Sequence, residues 1–335
     1  MLAQLLTEQK PVEENPLHLE TVATPEPQAG EVRVRIAACG VCHTDLHVVQ
    51  GDIHPTLTPI IPGHQIVGRV DARGAAATRL EIGARVGIPW LNWISPDCRY
   101  YGTDRENLCD DIRFTGFHVN GGFAEYITVD EKFAYPVPDI FSDVQAAPLL
   151  CAGVIGFRAL RLSEIALPQA EYLGLYGFGA SAHIVLQIAR HWGKTTYIFT
   201  RNPEHRRLAL ELGAAWAGAA GDVPPHKLDS AIIFAPVGDL VVQALHVLNK
   251  GGTVVHAGIY STPVPQFDYP WLYEERTIRS AAHSTRRDVE ELLRVAAEIP
   301  VRPEVQLYPL AEANRALQDL KHSRIQGAAV LQIIE

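Results

Sequence analysis

Hydrophobic and polar residues alternate in short runs over the first 147 residues: EVRVRIAA at 31–38, IVGRVDA at 66–72, ARVGIPW at 84–90 and GFAEYITV at 122–129. Period-two patterning cut by Gly- and Pro-rich turns predicts half-buried strands, hence a β-rich, loop-heavy domain. From 148 to 282 the period changes. EYLGLYG (171–177) leads into ASAHIVLQIARHWG (180–193), then TTYIFT (195–200) and PEHRRLALELGA (203–214). LDSAIIFAP (228–236), DLVVQALHVLNKGG (239–252) and TVVHAGI (253–259) follow. Strand–helix–strand alternation predicts a parallel sheet with crossover helices. The tail reads as an amphipathic helix, RRDVEELLRVAAE (286–298), then EANRALQDLKHS (312–323) and a closing strand, GAAVLQII (327–334). The fold class is therefore α/β. A β-rich domain spans 1–147 and is completed by 283–335, and a doubly wound domain occupies 148–282.

The length of 335 residues suits two domains, and 47% hydrophobic with 20% charged residues is ordinary for a globular chain. A formal charge of −9 argues against nucleic-acid and anionic-membrane binding, which need a basic field. No apolar run approaches the roughly 20 residues that cross a bilayer. The start, MLAQLLTEQKPVEEN, lacks the basic flank and apolar core of a secretion signal, so a cytoplasmic protein is expected. Five cysteines (Cys39, Cys42, Cys98, Cys109 and Cys151) are too few and too scattered for a disulfide scaffold.

Gly177-Phe-Gly179-Ala180-Ser181-Ala182 has the form GxGxxA between a predicted strand and a predicted helix. One glycine permits a sharp turn, the next lets backbone approach a pyrophosphate, and the helix N-terminus faces the phosphate charge. A merely structural turn is the alternative. The second strand ends at Thr200-Arg201-Asn202, where an NAD site usually carries a carboxylate. A hydroxyl and a guanidinium suit a 2′-phosphate instead, so NADP(H) is expected and NAD(H) stays open. An Arg on a solvated loop is the plainer reading.

Candidate metal ligands fall in three segments: Cys39-Gly-Val-Cys42-His43-Thr44-Asp45-Leu-His47, Pro62-Gly63-His64-Gln65 and Leu-Leu-Cys151. Singly, each is more often core or turn than site. Together with GVCHTDLH, PGHQIVGRV, GGFAEY, GGTVVHAG and RIQGAAVL, the chain resembles the zinc-dependent alcohol dehydrogenases of the medium-chain dehydrogenase/reductase superfamily over essentially its whole length. The resemblance implies a GroES-like catalytic domain, a Rossmann nucleotide domain, and one catalytic zinc held by Cys42, His64 and Cys151. Three ligands leave the open position that catalysis needs. It further implies Thr44 as the hydroxyl that takes the alcohol proton, His47 as the outer base and Asp45 as orienter of His64. His43 would lie near the cofactor pyrophosphate, with Gly177, Gly179, Ala180 and Ser181, while Thr200 and Arg201 would meet the ribose. The implied reaction moves hydride between the nicotinamide and a primary alcohol or aldehyde. Trp90, Leu91 and Trp93 stand where relatives line the substrate pocket, which favours an apolar or aromatic substrate, although core packing explains them equally well.

The resemblance also implies a homodimer or homotetramer, with GTVVHAGI and the following YSTPVP at the pairing edge. Three departures matter. Relatives with a second, structural zinc use four cysteines, of which only Cys98 and Cys109 remain here. Ser95 and Tyr101 replace the others, so no structural zinc is expected, and the two surviving sulfurs are near enough to oxidise. Gln65 stands where relatives usually carry Glu, and Gln326 where an Arg often touches cofactor phosphate. A zinc-free quinone or enoyl reductase on the same fold, or a catalytically quiet nucleotide-binding relative, are the alternatives.

Overall fold

The structure, a computed structural model, describes residues 1–299 and 301–333. It divides into two compact units: Met1–Cys151 with Thr285–Ala297 and Arg302–Glu335, and Ala152–Ser284 with Glu298–Val301.

The first unit is built on a seven-stranded sheet. The long strand Glu31–Val41 pairs antiparallel with Gln65–Arg73, Tyr126–Asp130 and Ala328–Gln332. Val305–Pro309 extends it at one end, Arg85–Ile88 and Tyr135–Pro136 at the other. The alternation read in 31–38 is obeyed: Val32, Val34 and Ile36 are fully buried with Ile66, Val86 and Ile88 in one core. The tail thus rejoins the N-terminal part through a strand next to Glu31–Val41, which makes this unit discontinuous. A hairpin of Leu91–Ile94 with Ile112–Phe114 stands apart from the main sheet.

In the second unit six parallel strands run in the order Trp216–Gly218, Thr195–Phe199, Tyr172–Tyr176, Leu228–Ile233, Leu248–His256 and Thr277–Ser280. The winding direction reverses between Tyr172–Tyr176 and Leu228–Ile233. Ligands bind at such a switch point, beyond the carboxyl ends of the strands. Gly177 lies there.

Two expectations are corrected. The helix expected over 239–252 stops at His246, because Leu248–His256 is claimed as a strand by pairing with Leu228–Ile233. Non-local ladder bonds outweigh the helical pattern of DLVVQALHVL. For the same reason GTVVHAGI is no sheet edge: it has a strand on each side, and Thr277–Ser280 is the outer one.

Candidate active site

Cys42 ends the approach from Glu31–Val41 and is the N-cap of the helix His43–Gln50. This helix is short and capped by a cysteine rather than Ser or Asp. The capping sulfur accepts from the Thr44 backbone N–H at 3.3 Å, and Asp45 Oδ2 accepts from the Cys42 N–H at 2.9 Å. The two bonds form a reciprocal box that fixes the thiol and the carboxylate together.

His64 is fully buried in the irregular segment just before Gln65–Arg73. Its Nδ1 donates to Asp45 Oδ1 at 2.9 Å, which also accepts from the Gly63 N–H at 3.1 Å. Its Nε2 lies 3.2 Å from Cys42 Sγ. Cys151 closes the group, and the three ligand atoms all fall within 4.8 Å of one another. Cys42 and Cys151 keep partial solvent access. The Cys151 thiol and the His64 cation hold the Cys42 thiol well below its usual range against the cost of burial. The same hydrogen bond, with burial, pushes Cys151 well up. Burial alone would lower His64, but Asp45 and Cys42 outweigh it and raise its pKa to about 10. Two sulfurs and an imidazole nitrogen that converge with a carboxylate behind the imidazole are the donor set of a catalytic zinc, and they fit that ion.

At the nucleotide turn, Gly177 has φ of +88°, and a Cβ there would stand 3.2 Å from the Ala235 nitrogen. Gly179 caps the helix Ala180–His191 with no side-chain bond to its first turn, and the space a Cβ would occupy is open. A pyrophosphate fits such a cradle. Tyr176, just before the turn, stacks on Phe199 of the next strand at 4.2 Å, locking the two strand ends together. Thr200 is buried at the tip of that strand, its carbonyl accepting from Arg206 Nε at 2.8 Å. Arg201 is exposed beside it, and Asn202 is occupied in capping the helix Pro203–Glu211.

Residues 28–139 match the family model of the alcohol dehydrogenase GroES-like domain, and residues 182–298 that of the zinc-binding dehydrogenase. A Mycobacterium tuberculosis protein described as "Probable alcohol dehydrogenase AdhA" is 46% identical over 329 residues, which cover 96% of this chain and 94% of that one. The chain belongs to the zinc-dependent alcohol dehydrogenases of the medium-chain superfamily. Among solved structures, the Sorghum bicolor cinnamyl alcohol dehydrogenase superposes with a TM-score of 0.89 at 25% identity, over 98% of this chain and 97% of that one. A zinc-binding dehydrogenase of Sinorhizobium meliloti, bound to NADP, gives 0.85 at 26% identity over 99% of both chains. The fold is accordingly a GroES-like domain with a Rossmann domain.

Around the ligand group this dehydrogenase has features that the sequence did not disclose. His47 Nδ1 is held by Asp52 Oδ2 at 2.7 Å, just past the left-handed Gly51 that ends the helix His43–Gln50. Asp52 could have been suspected from its place one residue after that glycine. Trp90 is buried with its ring edge-on to His64, centroids 4.8 Å apart, and stacks on Phe114 at 5.0 Å. Leu91 is fully buried core, and Trp93 is half-buried under Arg113 at 4.8 Å, so Trp90 is the member of that trio in contact with a ligand residue. Buried Gln65 lies against Gly40, where a Cβ would come within 2.9 Å of its side chain. Cys39 is fully buried in the core. Gln326 is exposed near the final strand.

The lobe that carries four cysteines in some relatives is fastened differently. Cys98 and Cys109 form a disulfide. Buried Glu106 takes the guanidinium of Arg286 through Nη2 at 2.8 Å and Nε at 3.2 Å, and that guanidinium lies 4.8 Å over the Tyr101 ring. The tyrosine in a cysteine's place is thus half of a cation–π contact. No helix among the described residues is by itself long and apolar enough to cross a membrane.

Proposed function

We propose that this dehydrogenase interconverts apolar, aromatic primary alcohols and their aldehydes with NADP(H), NAD(H) serving as the poorer substitute, and that it carries one zinc per chain. The contact of Trp90 with His64 carries the substrate reading, because it starts an aromatic surface at a metal-ligand side chain. The name of the Sorghum structure and the NADP in the Sinorhizobium one support it.

Cys42, His64 and Cys151 would hold the zinc, with Asp45 fixing the imidazole so that Nε2 faces the metal. Bound there, the ion supplies a Lewis acid that polarises the substrate oxygen. The partial exposure of both cysteines leaves that oxygen an approach. Thr44 and His47, three apart on one helix, share a face. The Thr44 hydroxyl would take the alcohol proton, and the ribose of a bound cofactor would supply the link from it to His47. His47, pinned at Nδ1 by Asp52, delivers the proton to solvent through Nε2. Gly177, Gly179, Ala180 and Ser181 would receive the pyrophosphate, His43 would add to its binding, and Thr200 and Arg201 would receive the 2′-phosphate. With Ser95 and Tyr101 unsuited as ligands and both cysteines bonded, the lobe takes no second zinc. We assign assembly as a homodimer or homotetramer to the outer strand Thr277–Ser280, whose Ile278 is 36% exposed. A cytoplasmic setting goes with this reading, because the nicotinamide must be recycled by partner dehydrogenases.

Metal analysis of the purified protein together with benzaldehyde reduction under NADPH and NADH tests it. About one zinc per chain and faster turnover with NADPH is the expected result. A zinc-free protein that reduces quinones or enoyl compounds would overturn it, as would nucleotide binding with no turnover of any aldehyde.

A further inference from the structure

The aromatic surface that starts at His64 ends in a histidine that the proposed chemistry does not use. Trp90 stacks on Phe114 and tilts against Phe117 at 5.8 Å. The His118 ring in turn stacks on Phe114 at 5.3 Å and meets Phe117 edge-on at 4.7 Å. Two rings therefore separate His118 from the metal-ligand end, and Phe114, Phe117 and His118 are all partly exposed. The Phe114 backbone N–H donates to His118 Nδ1 at 3.1 Å. A ring nitrogen that accepts from an N–H has no proton of its own, so the neutral ring carries its proton on Nε2. Protonation at Nδ1 would set two N–H groups against each other, and burial together with Arg113 lowers the pKa of this ring as well. The stacking on Phe114 fixes the plane in which Nε2–H points.

We propose that His118 is a specificity-determining residue: its Nε2–H donates a hydrogen bond to a second acceptor oxygen on the substrate ring, remote from the reacting carbon. The substrate class is then aromatic aldehydes and alcohols with a ring ether or carbonyl substituent, in preference to unsubstituted ones. The inference rests on the reading that the Trp90 surface borders the reacting centre.

The test compares kcat/KM for benzaldehyde with that for 3- and 4-methoxybenzaldehyde in the wild type, His118→Phe and His118→Gln. Phe keeps the ring and its stacking but loses the donor; Gln restores a donor at about the Nε2 position. The wild type should favour the better methoxy substrate, and the Phe variant should lose that preference by about fivefold, the range of one neutral hydrogen bond. Benzaldehyde kinetics should stay within about twofold, and Gln should recover most of the loss. His118→Leu replaces the Phe variant should that one not fold. An unchanged preference in the Phe variant overturns the role of His118 while leaving the aldehyde reading intact, and so does a loss that Gln does not recover. Absence of turnover with all three aldehydes in the wild type overturns both.

Discussion

Asp45 Oδ1 accepts the Nδ1–H of His64 at 2.9 Å, while its other oxygen holds the backbone of Cys42 at the same distance. One buried carboxylate therefore positions two of the three ligand residues. Asn at this place can accept on one side only, and its NH2 would face either the imidazole or the Cys42 N–H. Asp45→Asn should weaken zinc binding about 10- to 100-fold, the usual cost of losing such a partner. Competition against a chromogenic chelator measures it, and an affinity equal to wild type would show that the imidazole is oriented by other means.

The protonation pattern of the ligand group predicts proton release. Near pH 8 the metal-free site holds a Cys42 thiolate, a protonated His64 and a neutral Cys151 thiol. Zinc needs both sulfurs ionised and the imidazole neutral, so its uptake should expel two protons, one from His64 and one from Cys151. A dye titration in weak buffer counts them; a release of one or none would contradict the pattern. The sign for stability runs the other way. The folded pKa of His64, about 10, exceeds its ordinary value of 6.5. Its contribution to metal-free stability is thus full below pH 6.5 and fades as pH climbs through 10. Between pH 6.5 and 9 the lowered Cys42 thiol offsets this, one proton fewer on Cys42 against one more on His64, so chelator-treated protein should lose stability with alkali only above about pH 9, while zinc affinity rises throughout.

The ligand segments around Cys42, His64 and Cys151 were legible because each stretch is short and distinctive, and so was the GxGxxA turn at Gly177. Local patterns also gave the helix Arg286–Glu298 to the residue. What escaped was decided by distant partners. Leu2–Leu6 is a strand through its pairing with Leu17–Thr21, and Val305–Pro309 through its pairing with Ala328–Gln332. Asp52, Phe114, Phe117 and His118 acquire a role from what the fold sets beside them. No spacing rule connects Trp90 to His64.

The lobe gives a prediction free of the metal centre. With Cys98 and Cys109 bonded, unfolded, metal-free protein should show three reactive thiols before reduction (Cys39, Cys42 and Cys151) and five after it. Five without reductant would remove the disulfide from the account.

Glu106→Gln breaks the clamp on Arg286 and leaves a guanidinium, only partly exposed, without its counter-charge. Removing one partner of a fully buried pair costs about 3–5 kcal/mol. The 20% exposure of the Arg286 side chain reduces this to about 2 kcal/mol, to be read from urea unfolding of holoprotein. Zinc content should stay at wild type, since the Glu106 carboxylate is engaged with Arg286 and is not one of the zinc-ligand set. A stability within about 0.5 kcal/mol of wild type would show that the disulfide alone fastens the lobe.

In the proposed reading the cofactor choice turns on two positions at one strand tip. Arg206 holds the Thr200 carbonyl, so the strand end is rigid, and exposed Arg201 is the cation at its tip. A carboxylate at 200 would repel a 2′-phosphate and accept from ribose hydroxyls, and Ile at 201 would remove the guanidinium that a phosphate prefers. The double variant Thr200→Asp, Arg201→Ile should therefore lose at least about tenfold in kcat/KM for NADPH, within the range for charge-assisted bonds, and gain for NADH. Because Thr200 and Arg201 meet the nucleotide and not the aldehyde in the proposed reading, KM for the nucleotide should move while KM for benzaldehyde stays put. An unchanged nucleotide preference would place 2′-phosphate recognition on other residues, and an aldehyde KM that moved in step would show that the strand tip itself had shifted.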